Sequence, residues 1–152
     1  MIHIRESEDR DLSQISRLCA DFSKEIAPQR QTVLQAADFL RAARTILEKH
    51  GRIYVATRKP EVRILGFMAI AEREALISGG SYLELTDLYV TPNERFKGVG
   101  SELIQHAKKV CRSRSISRLT LYTGEPDHST SPNTIYRHHG FEFIGPTFRV
   151  LV

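Results

Sequence analysis

Leu88-Tyr-Val-Thr-Pro-Asn-Glu-Arg95-Phe-Lys-Gly98-Val-Gly100-Ser-Glu-Leu-Ile-Gln-His106 joins an apolar, strand-like run to a segment with helical spacing. Glycine lets the backbone turn closely around a ligand. The first N–H groups of the helix are free to donate, and the helix dipole favours negative charge at that end. Arg95 and Lys97 add two cations. The stretch therefore reads as an anion cradle suited to a diphosphate. It is not a Walker loop, since Gly-x-x-x-x-Gly-Lys-Ser/Thr is absent, and two glycines are too few for Gly-x-Gly-x-x-Gly. Two glycines opening a helix also make a plain turn, so the surrounding pattern has to decide.

Upstream, Ile2-His-Ile-Arg alternates as a short strand. Leu12, Ile15, Leu18, Cys19, Phe22 and Ile26 then recur at helical spacing, with Asp9 or Asp11 as the cap. Beyond Pro28, the positions Val33, Ala36, Leu40, Ala43 and Leu47 predict a second amphipathic helix ending near Gly51. Strands are predicted at 53–57 and 63–71, turning across Lys59-Pro-Glu61, and again at 82–90 after Ser78-Gly-Gly-Ser81. These three should form an antiparallel meander. After the helix of Val99, Leu103, Ala107 and Cys111, Leu119-Thr-Leu-Tyr-Thr reads as a strand, and the crossover makes that last pair parallel. A polar loop follows. Ser131 and Pro132 open a short helix that Gly140 ends, and two strands are expected at 141–144 and 147–152 around Gly145-Pro146.

The expected architecture is a mixed α+β (α/β) fold in one domain spanning residues 1–152. A mostly antiparallel central sheet of six to seven strands is flanked by about four helices, in the order β-α-α-β-β-β-α-β-α-β-β. A length of 152 residues suits one domain with a sizeable core. Apolar residues make up 41% and charged residues 26%, as in ordinary globular chains. The apolar runs are too short to span a bilayer, and no secretory leader pattern opens the chain, so a cytoplasmic location without membrane attachment is the expectation. Cys19 and Cys111 sit in apolar helical patterns outside any Cys-x-x-Cys, which suits buried reduced thiols. No histidine pair has zinc-like spacing with a thiol or carboxylate, so no metal is expected.

The net charge is +4, and seven basic residues against one acid fall between Arg95 and Arg118. Only Phe96 is interleaved with them, whereas single-strand binders stack bases on several aromatics. Nucleic acid is thus the disfavoured partner, and a solvated helix face beside a phosphate-rich ligand is the simpler explanation.

Arg95-Phe-Lys-Gly98-Val-Gly100 resembles the Arg/Gln-x-x-Gly-x-Gly/Ala signature of the GNAT superfamily, acetyltransferases that use acetyl-coenzyme A. Leu88-Tyr-Val-Thr-Pro92 is similar to the strand end that precedes that signature. Tyr136-Arg-His-His-Gly140-Phe141 resembles the family's Tyr-x-x-x-Gly-Phe, and the element order is similar over essentially the whole chain. The resemblance implies acetyl-coenzyme A as co-substrate, with the pantetheine arm along Leu88, Tyr89 and Val90. It places the pyrophosphate on the N–H groups of Arg95, Phe96, Lys97, Gly98, Val99, Gly100 and Ser101. It implies direct transfer to a primary amine in a ternary complex, with Tyr136 protonating the leaving thiolate. A non-catalytic coenzyme A sensor, or a transferase acting on protein or RNA-borne amines, are the other readings, and homodimer formation is left open.

Glu84 and Asp87 are the two candidate bases. Regular period two sets Glu84 with Thr86, Leu88 and Val90 on one face, and Asp87 with Tyr89 on the other, unless a bulge switches the parity. Either carboxylate suits a small cationic amine, and either is also compatible with a plain surface role. The chain departs from the family pattern where an asparagine often precedes the tyrosine by seven residues. Ser129 stands there and is the candidate replacement. The resemblance also implies acceptor contacts around residues 27–31, 78–82 and the final strands, segments that carry no diagnostic pattern of their own.

Overall fold

The apolar run at 64–70 is buried throughout because its strand lies in mid-sheet with a helical layer on each face. The computed structural model describes residues 1–26, 34–59, 61–76, 79–123 and 131–145. Its strands are β1 (Ile2–Glu6), β2 (Arg52–Arg58), β3 (Glu61–Ala75), β4 (Gly80–Val90) and β5 (Leu119–Leu121), and they lie side by side in chain order. The first three pairings are antiparallel and β4 with β5 is parallel.

Helices α1 (Leu12–Ile26) and α2 (Ala36–Glu48) cover one face, where Leu12, Ile15 and Ala43 pack on Ile53, Val55, Phe67 and Ala69. Helix α3 (Val99–Ser113) covers the other, where Leu103, Ala107 and Val110 pack on Leu65, Met68, Leu83 and Leu85. The fourth helix, α4, is Ser131–His138. Cys111 is buried in the α3 layer, and Cys19 is half-buried against the α1 and α2 layer. The sheet separates the two free thiols. Burial, with the Asp87 charge nearby, pushes the Cys19 thiol up to about 12, far from a reactive thiolate.

Neither candidate cap stands at the N-cap position: Glu8 does, opening the 3-10 turn Asp9–Asp11 ahead of α1, and Asp11 is the third residue of that turn. Asp11 Oδ2 accepts the Glu8 N–H at 2.7 Å, and both oxygens take Arg5 of β1, at 2.6 and 2.9 Å. The Arg5 guanidinium holds this buried carboxyl below its usual range.

Among the described residues the sheet has five strands, against six to seven expected. Residues 141–145 carry no strand pairing, and the expected hairpin partner at 147–152 lies outside the described residues. β5 is also shorter than the predicted 119–123, and β3 runs on to Ala75. Among the described residues, no helix is long and apolar enough to cross a membrane.

Candidate functional site

The parallel pairing of β5 to β4 stops early. Leu83, Glu84 and Leu85 pair with Leu119, Thr120 and Leu121, after which β4 continues to Val90 paired only with β3 among the described residues. Beyond this pairing, Thr91 N donates to Leu65 O at 2.9 Å. By the alternation of antiparallel pairs, the backbone groups of Tyr89 then turn toward β3, and those of Leu88 and Val90 toward the opened edge. The expected trio thus divides: Leu88 and Val90 offer main-chain groups there, and Tyr89 does not.

A bulge sits directly before this edge. Leu85 pairs with Ile70 and Asp87 with Ala69, which leaves Thr86 as the extra residue. The parity expected from a regular strand is corrected accordingly. Leu83, Leu85, Leu88 and Val90 all join the α3 core, and Glu84 shares the opposite face with Asp87 and Tyr89.

The two carboxylates differ in their partners. Glu84 Oε2 is held by Arg73 Nε at 2.6 Å. Asp87 Oδ2 lies 2.9 Å from the Thr86 hydroxyl, which is also 3.3 Å from Ala69 O and has one proton to share between them. Burial pushes the Asp87 carboxyl above its usual range, with the Thr86 hydrogen bond opposing.

From Val90 the chain reaches α3 through buried Thr91, a 3-10 turn at Pro92–Glu94, and the turn residues 95–98. The two glycines serve different needs. Gly98 is the N-cap in the left-handed region, φ +87°, with open space where a side chain would stand. At Gly100 a Cβ would stand 3.1 Å from Ile135 Cδ1, so a hydrogen there lets α4 pack against the first turn of α3. Glu102 N bonds Gly98 O at 3.0 Å as the first helical bond. The N–H groups of Gly98, Val99, Gly100 and Ser101 therefore have no partner within the helix.

Basic side chains of the run from Arg95 to Arg118 are distributed among partners. Lys97 lies 3.6 Å from Glu94, Lys108 donates to the His139 carbonyl, Arg114 pairs with Glu72, and Arg118 lies over the Tyr82 ring. Phe96 is exposed at φ +60°. Arg95 is not pointed at the helix start alone: its Nε donates to Val90 O at 3.0 Å and its Nη2 meets Glu25 Oε2 at 2.6 Å.

The Tyr136 to Phe141 spacing has a structural basis. Phe141 N donates to Tyr136 O at 3.0 Å and Gly140 N to Arg137 O at 2.9 Å, with Gly140 at φ +78°. This is a Schellman ending, whose flanking apolar contact is here the edge-on packing of the Tyr136 and Phe141 rings, 5.9 Å between centroids. Among the described residues the Tyr136 hydroxyl has no hydrogen-bond partner. Burial raises its pKa, so the phenol keeps its proton at neutral pH.

Two residues escaped the sequence reading. Glu25 lies seventy positions from Arg95, with no local pattern to link them. His139, beside the Gly140 helix ending, is buried against α3, its Nε2 3.0 Å from Ser101 Oγ and its Nδ1 3.4 Å from Gln105 Nε2. Ser129 lies outside the described residues, as do residues 27–31 and the final segment at 147–152. Among the described residues no three of His, Cys, Asp and Glu are gathered as metal ligands.

Comparison with known proteins places this geometry in context. The model of the acetyltransferase (GNAT) family matches residues 11–141. An uncharacterised N-acetyltransferase of Bacillus subtilis strain 168, YhfO, is 26% identical over 141 residues, covering 93% of this chain and 90% of that protein. The fold is similar to the crystal structure of a probable acetyltransferase, with a TM-score of 0.82 at 22% identity and 99% of each chain covered. It is also similar to a predicted acetyltransferase from Clostridium acetobutylicum solved with acetyl-CoA, with a TM-score of 0.77 at 15% identity, covering 99% of this chain and 96% of that one.

Proposed function

Because the chain belongs to the acetyltransferase (GNAT) family, we propose that it transfers the acetyl group of acetyl-coenzyme A to the primary amine of a small cationic molecule. The observation that carries this reading is the parting of β4 from β5. The Leu88 main-chain groups and the Val90 N–H then face an edge that is open among the described residues and runs directly into the N–H groups of the α3 start that have no helical partner, while Val90 O is held by Arg95. A pantetheine arm added along that edge would leave its diphosphate at the helix start, where backbone donors and dipole both favour it.

The residues fit this co-substrate. Gly98 leaves open space at the cradle where a side chain would stand, Gly100 lets α4 pack close to it, and Lys97 immediately precedes it. When bound, the thioester supplies an activated acyl group. The Leu88 and Val90 N–H groups are the candidate donors to its carbonyl oxygen, where charge develops during attack. Tyr136, whose protonated hydroxyl has no hydrogen-bond partner among the described residues, is assigned as the acid for the departing thiolate, whose pKa of about 8.5 lies below that of a phenol.

Asp87 is the favoured base and amine anchor. Its carboxylate is half-buried beside the bulge and bound only by the neighbouring Thr86 hydroxyl among the described residues, whereas Glu84 is engaged by Arg73. Its raised pKa brings it nearer the pH at which a proton must be accepted. Glu84 and Arg73 then frame the same face of β4. We assign the activity to the single unit of residues 1–152, acting in the cytoplasm.

A panel of polyamines, amino acids and aminoglycosides, assayed for thiol release from acetyl-coenzyme A, tests the reading. Turnover with at least one cationic amine, reduced about a hundredfold in Tyr136→Phe, is expected. Tight coenzyme A binding without turnover on any amine would instead make the chain a non-catalytic sensor.

A further inference from the structure

His139 is one of the buried titratable groups that the mechanism above leaves unused. It is the residue before the Gly140 ending of α4, and it is 8% exposed. Three contacts tie it to α3. Its carbonyl accepts Lys108 Nζ at 2.5 Å, its Nδ1 faces Gln105 Nε2 at 3.4 Å, and its Nε2 faces Ser101 Oγ at 3.0 Å. Ser101 stands in the first turn of α3, among the N–H groups that have no helical partner.

Proton bookkeeping around the ring gives a direction to this chain of contacts. With the Gln105 amide oriented so that its nitrogen faces the ring at 3.4 Å, that nitrogen donates and Nδ1 accepts. A neutral ring that accepts at Nδ1 carries its proton on Nε2 and donates it to Ser101 Oγ. The serine oxygen is then occupied as an acceptor, and its own proton is left to donate elsewhere. Burial, together with the Lys108 and His138 charges, favours the neutral ring. Side chains of a helix lean toward its N-terminus, which takes the Ser101 hydroxyl toward the helix start rather than away from it.

We propose that His139 is a positioning residue that fixes the Ser101 hydroxyl as a hydrogen-bond donor to the diphosphate of coenzyme A. This rests on the reading of the α3 start as the diphosphate seat. The same contact joins the helix carrying Tyr136 to the α3 start, so the residue assigned to the thiol end and the seat of the diphosphate are linked directly. No backbone feature requires histidine at 139, since the left-handed residue of the ending is Gly140.

Calorimetric titration with coenzyme A tests the proposal on wild type, Ser101→Ala, His139→Leu, the double variant and His139→Gln. Each of Ser101→Ala and His139→Leu should bind about tenfold more weakly, as expected for loss of a hydrogen bond to a charged group. The double variant should be no weaker than either single one, because both remove the same donor. His139→Gln, whose amide nitrogen occupies the place of Nε2, should restore most of the affinity. Losses that add in the double variant, an unaffected Ser101→Ala, or no rescue by glutamine would each overturn the proposal. Wild type that fails to bind coenzyme A would instead overturn the diphosphate reading itself.

Discussion

The Arg95 guanidinium meets the Glu25 carboxylate at 2.6 Å and so ties the last turn of α1 to the end of β4. The other Glu25 oxygen accepts the Tyr89 hydroxyl at 3.1 Å, and the Arg95 guanidinium lies 5.6 Å from the centre of the Tyr89 ring. Burial, followed by the Glu25 hydrogen bond, pushes the Tyr89 phenol up to about 12. One carboxylate therefore draws away a cation that stands at the entrance to the helix start.

Releasing that cation should strengthen anion binding. Glu25→Gln is expected to tighten coenzyme A binding about threefold at low salt, with the gain shrinking at high salt as screening sets in. Its effect on stability should stay within about 1 kcal/mol, because both partners are part-exposed. Titrations at two ionic strengths and a urea melt check both parts.

The two glycines of the cradle should fail differently. Gly98→Ala forces a Cβ into a left-handed conformation and should cost about 1–2 kcal/mol in a urea melt, with no steric conflict to relieve. Gly100→Ala meets Ile135 at 3.1 Å and should displace α4, lowering turnover more than stability. Ile135→Val, which shortens the opposing side chain, should recover activity in Gly100→Ala and leave Gly98→Ala unchanged.

Asp87→Asn should exchange activity for stability. A raised folded pKa means that the aspartate's contribution is fully present below the unfolded carboxylate value of about 3.9 and is lost as pH rises through the folded value. At pH 7 the asparagine variant escapes the cost of a buried charge. It should therefore melt at a higher temperature than wild type at pH 7, and the advantage should vanish near pH 3. Its kcat/KM should fall at least a hundredfold, and the acid limb due to Asp87 should disappear from the pH profile.

At the opposite end of the sheet, the Asp11 carboxyl shows the reverse sign. Its folded pKa lies below the usual value, so its contribution is present above about pH 3.9 and is lost as pH falls through the folded value. Asp11→Ala removes the Arg5 pair and the Glu8 backbone acceptor together, and should cost about 2 kcal/mol at pH 7. Denaturant melts at pH 7 and at pH 2 should show the difference narrowing.

The strand order was legible because periodicity, glycines and prolines are local signals, and the 64–71 run marks a central strand through its apolarity on both faces. The cradle was legible for the same reason. The grouping of Glu84 with Asp87 was not, since one extra residue at Thr86 reverses the parity of everything before it, and no residue type announces the bulge. Glu25 and His139 were missed because their partners are fixed by packing between elements distant in the chain. The Tyr136 to Phe141 spacing carries a backbone meaning as well, since six residues ending in Gly-Phe satisfy a helix ending whatever the tyrosine does.

The central claim is acyl transfer from a co-substrate seated along β4 and the α3 start. Its most direct test is steady-state thiol release from acetyl-coenzyme A with the amine panel, run beside calorimetric binding of coenzyme A, for wild type and Tyr136→Phe. The account predicts amine-dependent turnover by wild type, and a Tyr136→Phe variant that binds coenzyme A as wild type does with kcat lower by about a hundredfold. Equal turnover by both proteins, or coenzyme A binding with no amine accepted, would contradict it.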